Sequence, residues 1–223
     1  MTTVYLIRHC EATGNQNRTF QGSTDAEITE LGRIQLGYLN KRFKDVPLDA
    51  VYSSPLMRAK LTAHAVADDK GLPVIVEPGF SEICGGKIEG LTFAQIFEKY
   101  PQLEYNWGYA PEEFDPPEGE HMRKVYERVN RALKNAVEQY KGKSIAVATH
   151  GAAIRNLLAY YKYGSIEGLK NIPWSENTAV TKITFNEKGE YNLEYFNDSS
   201  HVPPEYLPKR SRIGTFYNPE DDR

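Results

Sequence analysis

Four short stretches of this sequence carry side chains suited to handling a phosphorylated anion. Arg8-His9 closes the apolar run Thr3-Val4-Tyr5-Leu6-Ile7, and His150-Gly151 closes Ser144-Ile145-Ala146-Val147-Ala148-Thr149. Arg58 follows Ser54-Pro55-Leu56-Met57, and Glu82 lies in a polar connection. A neutral imidazole nitrogen can attack phosphorus, and a planar guanidinium can grip two anionic oxygens at once. Open α/β sheets bind ligands at the carboxyl ends of their strands, which is where Arg8 and His9 fall. Arg58 is expected near the start of a helix opened by Pro55, where free backbone N–H groups favour anions. Twice the chain shows the same order: strand, terminal histidine, small or turn residue, helix.

The elements that must position these groups alternate along the chain. After the first strand comes a polar loop, residues 12–27, and then an amphipathic helix from Thr29 to about Phe43, with Leu36, Leu39 and Phe43 on one face. A strand at Val51-Tyr52-Ser53 leads into the Pro55 helix, which ends near Gly71, and Pro73-Val74-Ile75-Val76 reads as a third strand. Thr92 caps a short helix ending before Pro101, and residues 122–140 form a long helix with Val125, Val129, Leu133 and Val137 at helical spacing. The last strands, 179–185 and 191–196, flank the hairpin-like Asn186-Glu187-Lys188-Gly189. The expected fold is α/β and three-layered: a mainly parallel sheet with helices on both faces and an antiparallel edge strand. Residues 1–202 are expected to form one domain, and the Pro-rich, charged tail, 203–223, to pack loosely or remain partly disordered.

Composition narrows the function classes. A chain of 223 residues with a formal charge of −3 offers no basic stripe, so nucleic acid is not an expected partner. No apolar run is long enough for a membrane span, and Met1-Thr2-Thr3 enters the first strand directly, so a cytoplasmic location is the expectation. Cys10 and Cys84 are too few for a disulfide framework. No cluster with metal-ligand spacing is visible, so neither a metal nor another cofactor is expected. A homodimer stays open.

The ordered pieces resemble the histidine phosphatase superfamily, in its phosphoglycerate-mutase-like branch. They run from Leu6-Ile7-Arg8-His9, Glu11 and Asn15 through Phe20-Gln21-Gly22, Leu31-Gly32 and Ser53-Ser54-Pro55-Leu56-Met57-Arg58-Ala59 to Glu82-Ile83, Glu89-Gly90-Leu91-Thr92 and Thr149-His150-Gly151. Asn177-Thr178 and Asn197-Asp198 before His201 are fainter echoes, and Cys10 departs from the glycine or small residue usual there. The resemblance implies His9 as nucleophile through a phosphohistidine, Glu82 as proton donor, and Arg8, Arg58 and His150 as the phosphate pocket. Asn15, Gln21, Gly22 and Gly151 would add substrate contacts. Glu11 and Glu89 read instead as groups that orient neighbours or cap turns. His64, His121, His201 and Arg155 read as structural.

The implied activity is hydrolysis of small-molecule phosphate monoesters. The alternatives are a phosphoglycerate mutase, or less favourably a non-catalytic binding protein. Residues 101–120 are expected to cover the pocket; they hold six carboxylates and no Lys or Arg, which favours a phosphatase acting on a neutral or apolar body. Trp107, Tyr109 and Phe114 would offer apolar surface there. Cys10, beside the nucleophile and near cationic groups, is weighed as an oxidation-sensitive thiolate against a buried small hydrophobe.

Overall fold

Val4, Leu6 and Ile7 are fully buried on β1 (Thr2–Arg8), a central strand of a six-stranded sheet. The structure is a computed structural model and describes residues 1–207. The other strands are β2 (Ala50–Ser53), β3 (Val74–Val76), β4 (Ser144–Thr149), β5 (Val180–Phe185) and β6 (Tyr191–Asp198). Their spatial order is β3-β2-β4-β1-β5-β6. β3, β2, β4 and β1 are parallel; β5 pairs antiparallel with β1 and β6 antiparallel with β5, so the expected antiparallel edge is a hairpin. β4 is buried along nearly its whole length because helices cover both faces, which suits its run of Ile, Val and Ala.

Among the described residues, seven α-helices complete the layers: α1 (Thr13–Gln16), α2 (Glu30–Phe43), α3 (Met57–Ala67), α4 (Phe93–Lys99), α5 (Pro101–Tyr109), α6 (Met122–Gln139) and α7 (Gly151–Tyr163). Strand side chains alternate between two cores. Ile7, Val51, Ala146 and Ala148 meet Leu39 and Phe43 of α2 and Ala63 and Val66 of α3. Val4, Leu6, Ile145 and Val147 share the other core with Val125, Val129 and Leu133 of α6 and Ile154 and Leu157 of α7. Each fully buried side chain of this size contributes roughly 1.5–3 kcal/mol.

Several elements differ from expectation, each through a tertiary contact. The buried stripe of α2 is Gly32, Gln35, Leu39 and Phe43, with Leu36 only half-buried. Gln35 is tolerated there because its Oε1 accepts from Glu11 N at 2.9 Å and its Nε2 donates to Tyr206 O at 3.2 Å. Helix α3 starts at Met57, not Pro55: Ser54 Oγ accepts from Leu56 N at 3.3 Å, holding an extended turn, and Asp25 Oδ1 accepts from Met57 N at 2.7 Å as a cap supplied by another loop.

Residues 101–120 are not an open loop. They contain α5 and the 3₁₀ turn Pro111–Glu113, while the segment after them pairs backbone to backbone with the Glu82 loop: Glu120 N donates to Cys84 O at 2.8 Å and Lys87 N to Pro117 O at 2.9 Å. The expected tail begins ordered. Pro204–Tyr206 form a 3₁₀ turn whose Tyr206 ring meets Tyr38 at 5.9 Å between centroids. The remainder of the tail, 208–223, lies outside the described residues. Among the described residues, no helix is long and apolar enough to cross a membrane.

Candidate active site

Strand register creates the site. Arg8 of β1 pairs with Thr149 of β4, and Ser53 of β2 with Ala148, so the residues leaving those strands, His9, His150 and Ser54, emerge side by side. The His9 and His150 rings lie 5.1 Å apart between centroids. His9 is held from both sides, its N–H donating to Thr149 O at 2.9 Å and its carbonyl accepting from Asn177 Nδ2 at 2.9 Å.

Hydrogen bonds also determine the imidazole tautomers. His9 Nδ1 lies 2.6 Å from Cys10 O; a carbonyl only accepts, so Nδ1 carries the proton and Nε2 keeps its lone pair. Burial, then Arg58 and Arg8, hold the His9 pKa well below the usual histidine range, against the pull of the Cys10 carbonyl. At His150, Nε2 is 2.7 Å from Ser54 Oγ, which already accepts from Leu56 N. The hydroxyl proton has no other acceptor among the described residues, so it goes to Nε2 and leaves a proton on Nδ1, a fully buried atom without a partner among those residues. Burial, followed by Arg58, His9, Arg128 and Arg8, lowers the His150 pKa as well.

Two guanidinium groups face this pair. Arg58, on the first turn of α3 and 1% exposed, donates to Thr24 O and Gly22 O, both at 2.8 Å. Arg8 donates through Nη1 to Ser175 O, and the Nε of each arginine is buried without a partner among the described residues. Burial lowers the pKa of both, and the Glu82 carboxylate raises each in turn. Gly22 has to be glycine: its φ is +53°, and a Cβ would fall 2.3 Å from Glu89 Oε1. Glu89 ties down that loop, accepting from Ser23 N and Gly85 N at 2.8 Å each and from the Thr24 hydroxyl. Although burial pushes its carboxyl up, those bonds hold the pKa below its ordinary value.

Glu82 reaches the same site from the connection after β3. Its Oε1 accepts from Ile83 N at 2.9 Å and its Oε2 from Ala152 N, in the first turn of α7, at 3.2 Å. Arg128 of α6 anchors this connection with all five donors: Nη1 to Gly79 O and Ser81 O, Nη2 to Glu82 O and Glu120, and Nε to Glu120. Sequence reading missed that clasp, whose partners lie up to 49 residues away.

The site opens into a cavity of about 1270 Å³ lined by Arg8, His9, Arg58 and Glu82 together with Asn15, Gln21 and Gly22. Asn15 Oδ1 accepts from Ala12 N at 3.1 Å, and the Gln21 side chain crosses Gly14. Gly151 admits Trp174, whose ring carbon would be 2.8 Å from any Cβ placed there. Trp174 stacks on Trp107 at 5.2 Å and carries the Arg155 guanidinium 4.4 Å from its ring centroid. The stretch Pro173 to Asn177 is a wall the sequence did not reveal. Residues 101–120 supply only Trp107 to the lining: Phe114 is core, Tyr109 is exposed, and Glu113, Glu118 and Glu120 pair with Arg123, Lys87 and Arg128. The expectation that this segment is an uncompensated acidic cover is therefore overturned.

Residues read as structural keep that part. Glu11 accepts from Thr29 Oγ1 at 2.7 Å, His64 pairs with Asp68 on the surface of α3, and His121 caps α6. His201 bonds Arg42 at 3.0 Å, and burial lowers its pKa to about 4.

Of the two readings weighed for Cys10, the buried small hydrophobe is the one the structure supports. It is fully buried, and burial pushes its thiol up to about 11, so the pull of nearby cations does not produce a thiolate. An alkylating reagent at neutral pH is expected to label the half-exposed Cys84 in the native protein and to spare Cys10, read by peptide mass mapping. Labelling of Cys10 as fast as in the unfolded chain would contradict this burial.

Comparison with known proteins agrees with the geometry. The family model described as histidine phosphatase superfamily (branch 1) matches residues 4–199. Phosphoserine phosphatase 1 of Hydrogenobacter thermophilus is 32% identical over 155 residues, 70% of this chain and 74% of that protein. Phosphoglycerate mutase-like protein 4 of Arabidopsis thaliana is 29% identical over 202 residues, 89% of this chain and 86% of that protein. Among solved structures, YhfR of Bacillus stearothermophilus superposes with a TM-score of 0.86 at 32% identity, covering 91% of this chain and all of that one, 100%.

Proposed function

The chain belongs to the histidine phosphatase superfamily and is a phosphoric monoester hydrolase, and on that premise we propose that it works through a phosphohistidine on His9. The observation that carries this reading is the His9 Nδ1–Cys10 carbonyl bond, which leaves Nε2 unprotonated beside two guanidinium groups. The Nε2 lone pair attacks phosphorus while the bond to the leaving oxygen breaks, and Glu82 gives that oxygen a proton. Charge on the transferring phosphoryl oxygens is met by Arg8, Arg58 and the free Nδ1–H of His150, with Asn15, Gln21 and the Gly22 and Gly151 backbone around them. Glu82, now a carboxylate, takes a proton from water as the water oxygen attacks phosphorus. The P–Nε2 bond breaks, releasing inorganic phosphate and neutral His9.

Arg8 and Arg58 supply the positive charge, so no metal or cofactor enters the scheme. We read residues 1–202 as the catalytic domain and 203–223 as its tail, in a cytoplasmic enzyme of small phosphorylated molecules that does not engage nucleic acid. A homodimer is the assembly to test. The mutase alternative is weaker, because residues 101–120 contain no Lys or Arg to hold a second anion. One set of steady-state assays tests the reading: hydrolysis of an aryl phosphate and of phosphoserine, against interconversion of 2- and 3-phosphoglycerate with and without bisphosphoglycerate. Hydrolysis is expected to dominate, to survive exhaustive chelation and to be inhibited by vanadate. A mutase rate above the hydrolysis rate, or activity lost to chelator and restored by a divalent ion, overturns it.

A further inference from the structure

With Arg8, His9, Arg58 and His150 committed to the phosphoryl group, the remaining cavity walls must meet the leaving group. One wall is aromatic: Trp174, beside Gly151, stacks on Trp107, which meets Phe93 at 5.3 Å and Phe20 at 5.9 Å. The rest of the lining is acidic. Besides Glu82 it includes Glu11, Glu30, Glu176 and Glu205; among the described residues, Arg18 is its one basic residue apart from Arg8 and Arg58. These groups come from four separate parts of the chain, so the imbalance is not an accident of one acidic run.

Glu176 is the best placed of them. Its neighbour Ser175 receives Arg8 through its carbonyl, and the Glu176 charge acts on the Arg8 guanidinium, which puts this carboxylate at the margin of the phosphate floor. The Glu176 backbone is pinned, its N–H donating to Asn197 Oδ1 at 2.6 Å and its carbonyl accepting from Ala179 N at 3.2 Å. The carboxylate itself takes no hydrogen bond from the described residues. An independent observation points the same way. Ser175 is 3% exposed and lies on the cavity wall, and among the described residues neither its Oγ nor the buried Oε1 of Gln21 has a partner. The unpaired Gln21 amide oxygen is suited only to a donor on the ligand, and the unpaired Ser175 hydroxyl can accept from the same donor.

We propose that the leaving group is a short amino alcohol: the preferred substrates are phosphate monoesters bearing an ammonium group and no second anion. This rests on the phosphatase reading and adds a substrate class to it. Glu176 holds the ammonium, the Ser175 and Gln21 oxygens accept its N–H groups, and the methylene stem lies along the aromatic edges. A carboxylate or second phosphate at the same place would meet the like charge of Glu176, which discriminates by repulsion as well as by lost contacts.

O-Phosphoethanolamine and phosphoglycolate, similar in length and opposite in charge, test the idea, with phenyl phosphate as uncharged reference. In kcat/KM at low salt the amine is expected to lead by about tenfold or more, with zwitterionic phosphoserine between. In Glu176→Gln the lead should shrink by about threefold or more, and rising salt should shrink it in the wild type. Wild-type phosphoglycolate turnover equal to that of phosphoethanolamine, while phenyl phosphate is hydrolysed, overturns the amine preference and leaves the phosphatase standing. An amine lead that Glu176→Gln leaves intact overturns the assignment to Glu176. No turnover of phenyl phosphate would remove the phosphatase reading on which the proposal rests.

Discussion

His9→Ala is expected to lower kcat for an aryl phosphate on the order of a thousandfold or more, because no other group can form the covalent intermediate. His150, the nearest imidazole, cannot substitute: its Nε2 is engaged by Ser54 and its ring carries the proton on the other nitrogen. The variant should stay folded, since the His9 backbone, not its ring, makes the bonds to Thr149 and Asn177. An unchanged melting temperature would show that the loss is chemical. In the wild type, rapid quenching during turnover should trap an acid-labile phosphoenzyme that the variant lacks. The same geometry has a pH signature. Burial and two guanidinium groups keep the imidazole neutral, so its ring-proton shifts should stay flat as pH falls through 6.5, the ordinary histidine value. Retention of more than a few percent of activity by His9→Ala, or a His9 titration near 6.5, would refute the nucleophile assignment.

Glu82→Gln should divide substrates by their leaving groups. An alkoxide leaves poorly without a proton, so simple alkyl phosphates should lose about 10²- to 10⁴-fold in kcat. A nitrophenolate needs little help, so p-nitrophenyl phosphate should keep most of its phosphorylation rate. Glutamine preserves the shape and can still accept at one oxygen from the Ala152 or Ile83 N–H, which separates proton transfer from positioning. A loss equal for both substrate types would assign Glu82 a binding part and leave the proton donor unidentified.

The rim of the sheet was legible in the sequence because strand ends are local events. An apolar run followed by Arg8-His9 or His150-Gly151 announces its own terminus, and parallel pairing then brings the termini together. Thr29 and Thr92 likewise marked the starts of α2 and α4 through caps made within three residues. What stayed hidden depends on partners distant in the chain. Arg8 meets Ser175 across 167 residues, His150 meets Ser54 across 96, and Met57 is capped by Asp25 across 32. No periodicity encodes such pairs. Cys10 stood between two readings for a related reason: proximity to cations was visible in the sequence, whereas the burial that outweighs them was not. The acidic character expected at the pocket mouth does occur there, but Glu30, Glu176 and Glu205 supply it in place of residues 101–120.

The stacked pair of Trp107 and Trp174 has an optical consequence. The chain contains only these two tryptophans, and both border the cavity. Light absorbed at the red edge, where tyrosine is transparent, is therefore emitted only from the site, undiluted by indoles elsewhere. Rings 5.2 Å apart and within 23° of parallel are close enough for their excited states to couple, giving a near-ultraviolet dichroism band specific to the stack. Occupancy of the pocket can be followed through the intrinsic fluorescence of the unlabelled protein, on substrates that carry no chromophore of their own.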